Sequence, residues 1–199
     1  MSDWDSNRQE RHRENENNWT QDDDFRRARI RGEEGSDANK LRGELYTYAF
    51  ERFRDFSGLA KKNPTNVNIP RFAFEIISLA DSMMNDRIQA ILQTLRHHES
   101  KQWITMPSGN ALTILKDEIA LKKLNISDEF QKLIDEFNEW LRDRNVSLHD
   151  FLIVNNGNQR VGTNKRVEFV IDTALWATGL ARDFVDESAK VIKQLKKDD

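Results

Sequence analysis

Histidine is the side chain best suited to proton transfer and metal ligation near neutral pH, and this chain has four: His12, His97, His98 and His149. His97 and His98 are adjacent. Neighbours on a helix point about 100° apart, so the pair cannot easily share a metal ion. The string His97-His98-Glu99-Ser100 also lacks the spacing of a zinc-binding His-Glu-x-x-His helix. A polar helix C-terminus, where protonated histidine is favoured, accounts for the pair. With no cysteine there is no thiolate metal site, no cysteine nucleophile and no disulfide framework. Paired carboxylates occur at Asp117-Glu118, Asp128-Glu129, Asp135-Glu136 and Asp186-Glu187. Each adjoins an apolar stripe and is expected to face water. The sequence holds no glycine-rich phosphate loop, dinucleotide fingerprint or Gly-x-Ser-x-Gly elbow. The expectation is a non-enzymatic protein with no catalytic residue, no metal and no cofactor.

Basic and aromatic residues offer a different chemistry. Between positions 142 and 166, Arg142, Arg144, Arg160, Lys165 and Arg166 outnumber Asp143 and Asp150 by three. Arg160 and Lys165-Arg166 sit in a stretch rich in glycine and asparagine, where little side-chain bulk would keep a phosphate from the backbone. These five residues are the candidate nucleic-acid contacts, against the plainer reading of a solvated loop that opens a helix. The N-terminal stretch carries a second set: Trp4, Trp19, Phe25, Arg26, Arg27, Arg29 and Arg31. Large aromatics in a polar segment with no core to join resemble peptide motifs that dock in a partner's groove. The arginines suit phosphate, an acidic partner or an import receptor, and the flanking acids weaken each option.

These candidates lie on two unlike parts of the chain. Residues 1–40 hold eleven acids and eight bases but few apolar side chains. Such a segment buries too little surface to offset an ordering cost of about 1–2 kcal/mol per residue. It is expected to be a disordered charged arm. The block from Asp22 to Arg31 places acids before bases, the order that complements a helix dipole, so a binding-induced helix there is plausible. Residues 41–199 are formally neutral although the whole chain carries −3, and they are expected to form a single helical domain. No apolar run approaches the roughly 18–20 residues that span a bilayer, and positions 1–40 contain no signal-peptide core. An intracellular protein with no membrane partner is the default expectation.

The elements follow from periodicity. Leu41, Leu45, Tyr48, Ala49, Phe53 and Phe56 recur at helical steps, and Ser57-Gly58 is expected to end that helix. Asn68 as N-cap and Pro70 in the first turn open a second helix, lined by Ala73, Ile76, Ile77, Ala80, Met84, Ile88, Ile91, Leu92 and Leu95, with room for a bend near Met84. A third carries Leu112, Leu115, Ile119 and Leu124. Ser127 caps a fourth, whose stripe is Phe130, Leu133, Ile134, Phe137, Trp140 and Leu141. Ser147 and Asp150 resemble a capping box. Phe151 to Val154 followed by Asn155-Asn156-Gly157 signals a short hairpin through Val161, with a plain polar loop the equal alternative. A last helix from about Lys165 is lined by Val167, Val170, Ile171, Ala174, Leu175, Ala181, Phe184 and Val185. The fold expectation is mostly α: a bundle of five to six helices with a minor hairpin allowed, behind a disordered arm.

Arm plus helical body is the layout of a self-assembling subunit that packages RNA, as a coat or nucleocapsid-like protein does. That comparison rests on layout alone. Self-association, RNA and a protein partner for the arm are the expected contacts. The alternative is a regulatory adaptor, a transcription or replication accessory factor that recruits its partner through the arm.

Overall fold

Four segments, 37–63, 68–95, 106–152 and 163–198, are described by the computed structural model. They contain five helices and no strand: α1 (Asp37–Lys62), α2 (Ile69–Leu95), α3 (Ser108–Lys122), α4 (Asp128–Leu152) and α5 (Thr163–Asp198). Each start has a local cause. Pro70 occupies the first turn of α2, where its missing N–H costs nothing, and the Asn68 carbonyl accepts the Phe72 N–H at 3.0 Å. Ser127 caps α4: its Oγ accepts the Phe130 N–H at 3.1 Å, while Asp128 and Glu129 fill the acidic first turn. α3 ends on Lys123 in the left-handed region at φ 48°. There the Lys123 and Leu124 N–H groups return to the carbonyls of Ala120 and Ile119, a Schellman-type stop.

α2 and α5 form the central pair. α5 packs most extensively on α2 and next on α4, while α1 and α3 flank α2. α1 runs antiparallel to α2, a register fixed by Arg42 to Asp86, Tyr46 to the Met83 carbonyl, Arg52 to Glu75 and Phe56 to Phe72. α3 runs parallel to the second half of α2. The Asn85 side chain donates to the Met106 carbonyl, and the Lys122 ammonium donates to the last-turn carbonyl of Leu95 at 2.6 Å. α4 and α5 are antiparallel, joined by Phe137 and Phe130 against Phe184, Trp140 Nε1 donating to the Thr173 carbonyl, and Ser147 to Thr173. One contiguous apolar core joins all five helices, with Phe53, Phe56, Ile76, Ile77, Phe130, Phe137, Trp140 and Phe184 among its fully buried members.

The structure corrects several local expectations. α1 begins at Asp37, inside the stretch assigned to the arm, and does not stop at Ser57-Gly58 but continues to Lys62. Its buried row is Tyr46, Ala49, Phe50, Phe53, Phe56 and Ser57, so Leu45 and Tyr48, expected inside, are exposed. Ser147 is buried in the middle of α4 and hydrogen-bonds Thr173, so it caps nothing. Phe151 and Leu152, expected to open the hairpin, are the last two residues of α4. Positions 153–162, the rest of the hairpin signal, fall outside the described residues. α2 runs without interruption through Met84.

Candidate docking surface

The candidate phosphate contacts are not drawn into one cluster. Arg142 is exposed on α4, Lys165 is exposed in the first turn of α5, and Arg166 beside it is half-buried. From the antiparallel register of Ser147 with Thr173, and about 1.5 Å of rise per residue, Arg142 stands roughly 18–20 Å along the bundle from Lys165 and Arg166. Arg144 belongs to a different structure. Its guanidinium is ion-paired to Asp81 of α2, and its Nη1 donates to Asn145 Oδ1 at 2.7 Å. With both partners of the Asp81 pair about one-fifth exposed, this charge is committed to holding α4 on α2. Arg160, and the arm residues Trp4, Trp19, Phe25, Arg26, Arg27, Arg29 and Arg31, lie outside the described residues. So do His12, His97 and His98.

The carboxylate pairs are only partly the solvated faces expected. Asp117, Asp128, Glu129 and Asp135 are exposed, but Glu118 is buried beside Lys122, and Glu136 accepts the Trp176 Nε1–H at 2.7 Å. The Lys116 ammonium, 3.0 Å from Asp135, donates to that carboxylate and lowers its pKa. Each of these contacts fastens one helix turn to another. Among the described residues no three histidine or carboxylate groups converge as a metal site would require, and no helix is long and apolar enough to cross a membrane.

What converges instead lies on α1 and α2. Leu45 is 57% exposed and Tyr48 49%, one turn apart on α1. Tyr48 joins a clamp between α1 and α2. Arg52 makes two hydrogen bonds to Glu75, Nε to Oε1 at 2.7 Å and Nη2 to Oε2 at 2.8 Å, while the Tyr48 hydroxyl donates to the same Oε1 at 3.2 Å. The Arg52 hydrogen bonds, seconded by Tyr48, hold the Glu75 carboxyl below its ordinary pKa, and Glu75 in turn raises that of Arg52. The guanidinium lies 4.1 Å over the Phe72 ring, which meets buried Phe56 edge to face. A cation over an aromatic face, anchored to the core, leaves little freedom to lose on binding. Along the outer side of the same helix run Glu44, Glu51 and Asp55, of which Glu44 and Asp55 are exposed.

Comparison with known protein families, known proteins and solved structures finds no match to this chain. The assignment of a role therefore rests on the surface itself.

The sequence reading missed this surface because it placed Leu45 and Tyr48 in the core. One signal for it was available: Tyr46, Ala49, Phe50, Phe53 and Phe56 form a second apolar row over the same turns. A helix can turn only one of two such rows inward, and the other must be covered some other way.

Proposed function

We propose that this chain is a non-enzymatic helical subunit that works by contact, and that it self-associates through the Leu45–Tyr48 face of α1. The carrying observation is that exposed pair of large apolar side chains, of which Tyr48 belongs to a cluster with Arg52 and Phe72; tyrosine and arginine are enriched among the residues that dominate binding energy at protein interfaces. The pre-formed Arg52–Glu75 clamp supports the same reading, because a rigid platform binds at smaller entropic cost. The RNA-packaging form of the proposal rests on Arg142, Arg160, Lys165 and Arg166, with Arg144 withdrawn. Lys165 and Arg166 sit in the N-terminal turn of α5, whose dipole adds to their attraction for phosphate.

Sedimentation of the full chain over a range of concentrations, with and without RNA, tests this. Association that weakens in Leu45→Glu supports the face as the contact, and association indifferent to that change removes it. A monomer at every concentration that nevertheless captures one protein partner through α1 would favour the adaptor reading.

A further inference from the structure

We propose that a second copy docks antiparallel on α1, forming a closed two-fold dimer in which Leu45, Tyr48 and Arg52 of one copy meet Lys62, Leu59 and Asp55 of the other. This inference rests on the reading of the Leu45–Tyr48 face as the self-association surface. It adds the orientation, the register and the size of the assembly. Three observations carry it.

The first is a seam. Leu45, Tyr48, Arg52, Asp55, Leu59 and Lys62 follow one another along α1 at alternating steps of three and four residues. That spacing keeps one strip of a helix against a second helix that crosses it at a shallow angle. From Leu45 to Lys62 the strip is roughly 26 Å long. It is open to a partner along that length: Leu45, Tyr48, Asp55 and Lys62 are exposed, Arg52 is half-buried, and Leu59 is only partly packed on the core. The buried row of Tyr46, Ala49, Phe50, Phe53, Phe56 and Ser57 shares no residue with it. A helix docked on the seam therefore does not compete with the fold.

The second is the orientation that satisfies the seam. A parallel copy in register would set Arg52 against Arg52, Asp55 against Asp55 and Lys62 against Lys62, like charges at each. An antiparallel copy sets every member against a complement. Arg52 meets Asp55 on both sides of the two-fold axis, and Tyr48 meets Leu59. The aliphatic stem of Lys62 covers Leu45 while its ammonium reaches the adjoining Glu44, which is exposed. Glu75 already fixes the Arg52 guanidinium through Nε and Nη2, at 2.7 and 2.8 Å. Its Nη1 remains to donate to Asp55 of the second copy.

The third is clearance. α2 borders the seam with Glu75, Ser78 and Ser82, at the same steps of three and four. Ser78 and Ser82 are exposed, and each hydroxyl donates back to a carbonyl one turn earlier, at 2.9 and 2.8 Å. Side chains this short let the two α2 helices approach beside the α1 pair, in the layout of a four-helix bundle. Because both copies use the same strip, the contact is self-complementary and closes at two copies.

The absence of cysteine makes the register directly readable. Leu45→Cys and Lys62→Cys are made separately in the full chain, mixed and mildly oxidised, and the cross-linked products are identified by intact mass. A disulfide needs Cα atoms about 4.4–6.8 Å apart, so the mixed product should exceed either self-linked product by about tenfold. Charge gives a second reading. Glu44→Lys and Lys62→Glu, both at exposed positions, should each weaken dimerisation about tenfold at low salt with little change in melting temperature. Mixing these two variants should restore the parent's affinity, because every reversed charge then faces its opposite. Glu44→Lys/Lys62→Glu in one chain should restore it as well. Self-linked products in excess, or charge variants that associate no better mixed than alone, overturn the antiparallel register and leave the docking face standing. Species larger than two copies that vanish in Leu45→Glu overturn the closed dimer. Association indifferent to Leu45→Glu, or a parent that stays monomeric at every concentration, removes the face and this dimer with it.

Discussion

Tyr46 shows how a single side chain ties α1 to its neighbour and gives the fold a pH limit. Its hydroxyl is buried between Asp86, to which it hydrogen-bonds, and the Met83 carbonyl. Burial first, then the Asp86 carboxylate, raise its pKa well above the usual tyrosine value. A group whose folded pKa is raised keeps its proton while the unfolded chain loses it. The stability it confers is complete below the unfolded pKa of about 10 and declines as pH rises toward the folded value. Thermal melts should therefore weaken with alkali above about pH 10. Tyr46→Phe should be less stable at neutral pH and should fall less steeply there; equal slopes in the two proteins would mean Tyr46 is not the group responsible. Arg144 makes the complementary point. As a string of letters it belonged with the phosphate-binding arginines, because sequence reports its charge but not its partner. Asp81 lies 63 positions away and supplies that partner. Asp81→Ala should lower stability by about 1–3 kcal/mol in a denaturant melt by leaving a largely buried guanidinium unpaired; a change near zero would return Arg144 to the surface.

At the scale of elements, helical periodicity located each helix, and its errors came where two rows of apolar residues compete. On α4 the single stripe from Phe130 to Leu141 is the buried one, although Leu133 at its edge is only half covered. Ile77 of α2 is fully buried, so Ile77→Ala should cost about 2–5 kcal/mol. Leu133→Ala should cost no more than about 2 kcal/mol, because part of that side chain is already in water. Comparable losses at the two sites would show that Leu133 is buried. On α1 the competing rows are Leu45–Tyr48 and Tyr46–Phe50, and composition does not decide between them. The decision comes from α2, whose Met83, Asp86 and Phe72 receive Tyr46, Arg42 and Phe56. Ser57-Gly58 read as a stop because glycine weakens an isolated helix, yet tertiary packing of Phe53 and Phe56 carries α1 past it. A methyl group built on Gly58 meets nothing within 4 Å. Gly58→Ala should therefore stabilise by about 0.5–1 kcal/mol, read as a higher melting temperature. A destabilised Gly58→Ala would mean that the helix strains at this turn.

For the whole molecule, sequence composition divided the chain into a charged N-terminal stretch and a neutral helical body, because those properties are sums that need no geometry. A surface assembled from α1 and α2 depends on which faces meet, and that information is spread over residues more than 20 positions apart. The candidate phosphate site shows the same division. Lys165 is exposed and Arg166 half-buried at the start of α5, Arg142 stands apart from them on α4, and Arg144 is paired across the bundle. If RNA is packaged, its salt dependence should distinguish these residues. Each phosphate contact on a single strand contributes about −0.7 to the slope of log affinity against log salt, so Arg160→Ala/Lys165→Ala/Arg166→Ala should flatten that slope by roughly two units. The loss should be similar for all RNA sequences, because phosphate contacts fix position without reading bases. Arg144→Ala should leave the slope alone while lowering the melting temperature, since its charge is already neutralised by Asp81. A triple variant that binds RNA with the parent's affinity and salt dependence would exclude this end of the bundle as the site. A parent chain that binds no RNA even at low salt would remove packaging altogether and leave protein contact through the α1 face as the reading to test.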